Sequence, residues 1–183
     1  MRKIKIDEEF MSLLPTLDTE TYERLEDNIR KYGCREAIVL WNDVIIDGHN
    51  KYEICTKHKI PYRTVRMEFD CREEALIWII TTQVSRRHLT PTQMSYYRGL
   101  HYRMVKQLAG LPAGKSEKCQ NDPFHGTTIN HLAEHYRVSK NTIERDARLS
   151  ESIDAVSAAS PETKRQILSR EGIIHKNILG GYI

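Results

Sequence analysis

No stretch of this 183-residue sequence stays apolar for the roughly 20 residues that a helix needs to cross a bilayer. The opening Met1-Arg2-Lys3-Ile4-Lys5-Ile6 lacks the apolar core of a signal peptide and alternates like a first β-strand. A membrane role is not expected, and the expected location is the cytoplasm. Cysteine is scarce: Cys34, Cys55, Cys71 and Cys119 show no short paired spacing, which argues against a zinc site or a disulfide framework and for free thiols. Strong net charge is lacking as well, with 28 Lys+Arg against 25 Asp+Glu, yet the balance is uneven. Residues 1–83 carry 13 basic and 16 acidic side chains, whereas the remainder carries 15 and 9. The basic second half is where a nucleic-acid partner is expected.

What is present is enough apolar material, 39% of residues, for one large or two small domains. Glu8 to Leu14 forms a short segment closed by Pro15. Asp18 or Thr19 caps a helix from Thr19 to Tyr32, with Tyr22, Leu25 and Ile29 on one face and Gly33 at its end. Ala37 to Trp41 and Val44 to Ile46 read as a hairpin turning at Asn42-Asp43. A helix from His49 to His58, stopped by Lys59-Ile60-Pro61, and a strand from Tyr62 to Phe69 complete an α+β pattern. Arg72 to Gln83 is helical, with Ala75, Leu76, Ile79 and Ile80 forming an apolar face. Thr90-Pro91 opens a long helix to about Leu108. The Gly- and Pro-containing stretch 111–126 reads as a linker.

Two places carry chemistry. At Asp47-Gly48-His49-Asn50-Lys51 a strand turns sharply into a helix, leaving the first N–H groups of that helix unpaired where its dipole favours an anion. An ordinary strand-to-helix turn is the bland alternative. The second place is Thr128–His135 followed by Ser139–Leu149, two short capped helices separated by Tyr136-Arg137-Val138, the spacing of a helix-turn-helix. Small Ala133 admits close approach, and Leu132, Val138 and Ile143 fill the space between the helices. The second helix then offers Lys140, Asn141, Glu144, Arg145 and Arg148 to base edges and phosphates, with Arg137, Ser139 and Thr142 beside them. A left-handed backbone at Arg137, where Gly is usual, costs about 1 kcal/mol, and Asp146 falls where an apolar residue is common. Ser160-Pro161-Glu162-Thr163 opens a supporting helix through Leu168, with a further segment from Gly172.

In this order the motifs resemble the ParB/sulfiredoxin-like family, and specifically ParB-type partition proteins with a following helix-turn-helix. Residues Asn28–Val39 are similar to the family's first nucleotide-contacting motif, Ile45–Tyr52 to its Gly-Glu-Arg-Arg phosphate motif, and Thr82–Pro91 to its Glu-Asn-x-Gln-Arg motif. The resemblance implies a ParB-like domain over residues 1–110 including its long helix, a linker over 111–126, and an all-α DNA-binding domain over 127–183. It further implies a cytoplasmic homodimer on double-stranded DNA, associated with nucleoid or plasmid, with a partition ATPase as partner. CTP with Mg2+ is the implied cofactor, held among Arg35, Gly48, His49, Asn50, Lys51, Gln83, Arg86 and Arg87. His49 and Asn50 replace the motif's Glu and first Arg, and Thr82 and Gln83 replace its Glu and Asn, so binding is expected to outlast hydrolysis. The alternative from another class is a nuclease or phosphate-transfer enzyme using Asp47 and His49 with a metal. A third is a first domain that has lost its ligand and serves as a dimerisation scaffold.

Overall fold

Asp7 starts the first helix, α1 (Glu8–Ser12), by accepting hydrogen bonds from the N–H groups of Glu9 at 3.0 Å and Phe10 at 3.2 Å, and Phe10 is fully buried. The computed structural model describes residues 4–14, 17–85, 89–110, 129–159 and 161–168. These fall into two compact units divided between Phe69 and Asp70. Expectations for residues 1–3, 86–88, 111–128 and 169–183 lie outside the described residues.

In the first unit Asp18 caps α2 (Thr19–Tyr32) through the Thr21 N–H at 2.7 Å, and Gly33 ends it at φ 77°. Strands β1 (Ile38–Trp41) and β2 (Val44–Asp47) pair antiparallel. Asn42 (φ 48°) and Asp43 (φ 64°) both take left-handed backbone, as a tight hairpin turn requires. Gly48 leads into α3 (His49–His58), and β3 (Thr64–Arg66) returns parallel to β1, giving the order β2-β1-β3. Ile38, Leu40 and Ile45 pack with Tyr52 and Tyr62, while Ile29 of α2 packs against Ile54 and Cys55 of α3.

Two strand expectations change. The expected strand from Tyr62 to Phe69 is reduced to three exposed residues, because the four-residue β1 supplies no longer edge to pair with. Among the described residues of the expected first strand, Lys5 forms an isolated parallel bridge to Val44 in place of a strand. Cys34 and Cys55 are free thiols, but Cys71 is disulfide-bonded, against the expectation of free thiols throughout.

The second unit is helical: α4 (Arg72–Val84), α5 (Pro91–Ala109), α6 (Ile129–His135), α7 (Lys140–Ala159) and α8 (Pro161–Ile167). Thr90 caps α5 in a capping box with Gln93, and Pro91 occupies the first turn. Ile77 of α4 packs with Val105 and Leu108 of α5. At Gly99, α5 lies so near α7 that a Cβ there would stand 2.0 Å from the Asp146 carbonyl oxygen. That contact places α4 and α5 with the later helices, whereas the sequence reading grouped them with the first domain and divided the chain at 111–126. Helix α7 also continues ten residues past the expected end at Leu149.

Candidate functional site

The α6–α7 pair is built by a turn whose hydrogen bonds are local. The Val138 N–H donates to the Ala133 carbonyl at 2.9 Å and the Arg137 N–H to the Glu134 carbonyl at 3.0 Å, closing α6 in a Schellman motif with Arg137 at φ 53°. Val138 packs on the cluster of Leu132, Ala133 and Ile143, the apolar contact that accompanies this motif. Ser139 then caps α7, its hydroxyl accepting from the Thr142 N–H at 3.1 Å.

This start divides α7 into two faces. Ile143, Asp146, Ala147 and Ser150 are buried, while Ser139, Lys140, Asn141, Glu144, Arg145 and Arg148 are exposed, with Arg137 exposed in the turn and Thr142 half-buried. The sequence-predicted DNA-reading residues therefore occupy one solvent-facing surface at the amino end of a well-seated helix. Four supporting contacts were not foreseen. Arg98 Nε donates to Asp146 Oδ2 at 2.6 Å, and the Tyr136 hydroxyl meets His101 Nδ1 at 2.6 Å. Asp154 accepts from the Tyr96 hydroxyl at 2.9 Å and from Arg103 Nη1 at 2.6 Å. Burial holds the Tyr96 and Tyr136 hydroxyls protonated well above the usual range, and lowers His101 to about 4 with the nearby His135 adding to the effect. The sequence signals for these were Asp146 at a position where an apolar residue is common and Gly99, an interior helical glycine that marks a close approach.

The strand-to-helix turn at Gly48, where the sequence reading expected an anion, lies in the first unit. Gly48 adopts φ 94°, and the start of α3 has no side-chain cap and no acidic residue in its first turn. His49 is 8% exposed, and among the described residues neither ring nitrogen has a hydrogen-bond partner; burial lowers its pKa, opposed by the charges of Asp47 and Asp7. Asn50 is half-buried. Lys51 is ion-paired with Glu36, so the expected phosphate-binding ammonium already holds a carboxylate. The exposed Arg35 guanidinium lies 5.1 Å from the Tyr32 ring centroid, and the Arg35 carbonyl accepts from Arg63 Nη2 at 2.8 Å. In the second unit Gln83 is fully buried, with no hydrogen-bond partner for either amide atom among the described residues. Arg86 and Arg87 lie outside the described residues.

Among the described residues no helix is long and apolar enough to cross a membrane, and no three His, Cys, Asp or Glu side chains gather to hold a metal ion. The fold is ParB-like: the chain is similar to solved structures of a pNOB8-like ParB N-domain. One is 16% identical with a TM-score of 0.52, over 92% of this chain and 71% of that one. Another is 19% identical with a TM-score of 0.52, over 97% and 69%. No family model and no curated protein matches the sequence.

Proposed function

We propose that this chain is a ParB-like DNA-binding protein acting in plasmid or chromosome partition or in transcriptional regulation, as a cytoplasmic homodimer on double-stranded DNA with a partition ATPase as partner. The observation that carries the DNA reading is the exposed row Lys140, Asn141, Glu144, Arg145 and Arg148 on a helix whose other face packs through Ile143 on Leu132 and Ala133. Spaced at about one helical turn, these side chains suit a major groove. Asn141 can pair with adenine, Lys140 and Arg145 with guanine, and Glu144 can accept from the cytosine amino group. Arg137, Ser139 and Arg148 flank them and suit backbone phosphates. The ParB-like fold supports the partition reading by analogy of fold.

The same proposal gives the first unit a nucleotide phosphate, with CTP and Mg2+ as the candidate ligand. What supports a phosphate here is the α3 terminus, which has no side-chain cap and leaves its first N–H groups as donors beside Gly48. Lys51 joins them by exchanging Glu36 for the ligand. Magnesium would be held chiefly by the triphosphate oxygens, since no acidic cluster stands among the described residues. Bound CTP would supply a cleavable triphosphate. Titration with each of the four nucleoside triphosphates, with and without Mg2+ and duplex DNA, tests this half. Saturable binding selective for CTP supports it, and absence of saturable binding removes the nucleotide claim while leaving the DNA claim standing.

A further inference from the structure

The two free thiols of the first unit, 21 positions apart in sequence, meet across two elements. Cys34 follows Gly33 at the end of α2 and is half-buried; Cys55 sits in the second turn of α3 and is 1% exposed. Cys34 packs on the apolar cluster that contains Ile29, Ile54 and Cys55. The Cys34 S–H donates to the Glu36 carbonyl at 3.3 Å, on the cluster that holds Cys55. A thiol pair of this kind, one sulfur reachable from solvent and the other buried behind it, has the arrangement of an oxidisable site with its own resolving partner.

We infer that Cys34 and Cys55 are a redox modification site that closes to an intramolecular disulfide on exposure to a hydroperoxide. The steps balance without a further reactant. The Cys34 sulfur attacks the peroxide, the O–O bond breaks, and Cys34 becomes a sulfenic acid while the peroxide leaves as an alcohol or water. The Cys55 sulfur then attacks the Cys34 sulfur, the S–O bond breaks, and water leaves carrying the Cys55 proton. Burial first, then the hydrogen bond to Cys34, pushes the Cys55 thiol up to about 11, so Cys34 reacts with peroxide first and closure is the slower step. The bond joins the loop carrying Glu36 to the helix carrying Lys51, the same two elements that the Lys51–Glu36 ion pair already connects one turn earlier on α3.

The test is peptide mapping by mass spectrometry of the full chain after treatment with hydrogen peroxide, without reductant, while circular dichroism confirms retention of the fold. The expected product is a Cys34–Cys55 linked peptide, lighter by two hydrogens and restored by dithiothreitol. Cys71, already disulfide-bonded, is followed through its own peptide. Cys55→Ala should leave Cys34 as a sulfenic acid trapped by dimedone, and Cys34→Ser should leave Cys55 a thiol. The inference is overturned if, in the folded wild-type chain, Cys34 and Cys55 both remain thiols, if Cys34 passes to the sulfinic acid without a link, or if the link joins two copies of the chain.

Discussion

Arg98 Nε and Nη2 both reach Asp146 Oδ2, at 2.6 and 2.5 Å, and the Asp146 carboxylate is only 1% exposed. An ion pair this deeply buried contributes little net stability over an apolar pair, yet removing one member leaves the other charged and unpaired. Because Asp146 lies behind Arg145 on α7, the pair also sets how the exposed face is held against α5.

Arg98→Ala is therefore expected to destabilise the helical unit by about 3–5 kcal/mol, measured by urea unfolding, while the double change Arg98→Met with Asp146→Leu is expected to recover most of that loss. Equal losses in single and double variants would show that the pair is not what seats α7.

Gly99→Ala should be costly although alanine is the better helix former. The added Cβ would meet Asp146 backbone atoms at 2.0 and 2.3 Å and the Ala147 nitrogen at 2.7 Å, and backbone cannot rotate away. Overpacking of this kind costs about 1–3 kcal/mol, which outweighs the gain of about 1 kcal/mol in helix propensity. The urea midpoint should fall; a rise would mean that α5 and α7 are not so closely apposed.

Acid should weaken the two units in different windows. Hydrogen bonds from His58 and then Lys57 hold Glu26 at about 2, below the ordinary 4.5, so the stability it contributes to the α2–α3 contact is present above pH 4.5 and is lost as pH falls toward 2. Burial holds His101 at about 4, below the ordinary 6.5, so the unfolded chain takes up that proton more readily and stability falls between pH 6.5 and 4. The His101 effect is on the order of 3 kcal/mol. Urea midpoints recorded across pH should show His101→Gln flattening the upper window and Glu26→Gln the lower one.

Glu36 competes with any anion for Lys51. Glu36→Gln should tighten CTP binding several-fold and Lys51→Ala should weaken it, read by calorimetric titration. Unchanged affinity in both variants would place the ligand elsewhere than at this turn.

Where local chemistry dictates the backbone, the sequence was readable. Gly48 and the Asn42-Asp43 pair require left-handed backbone, Lys59-Ile60-Pro61 halts α3, and Ser139 starts α7, so the hairpin, the anion turn and the α6–α7 pair fell where expected. What escaped reading depends on partners far along the chain. Asp146 looked misplaced among apolar neighbours until Arg98, 48 residues earlier, was beside it. The length of β3 was set by how much edge β1 offers, and the grouping of α5 by a contact at Gly99 whose partner, Asp146, lies far along the chain on α7. At the anion turn the residues were legible, but the Glu36 carboxylate on Lys51 was not, because it comes from a loop 15 residues earlier.

The most direct test of the account is the salt dependence of binding to a mixed-sequence DNA duplex, followed by fluorescence anisotropy for the wild type, Lys140→Ala, Arg145→Ala and the surface control Arg24→Ala. Affinity is predicted to fall steeply with salt. Each α7 variant should bind more weakly, losing about one unit of the log–log salt slope wherever its side chain held a phosphate, and Arg24→Ala should match the wild type. Wild-type affinity in both α7 variants would contradict the assignment of α7 as the DNA-reading helix.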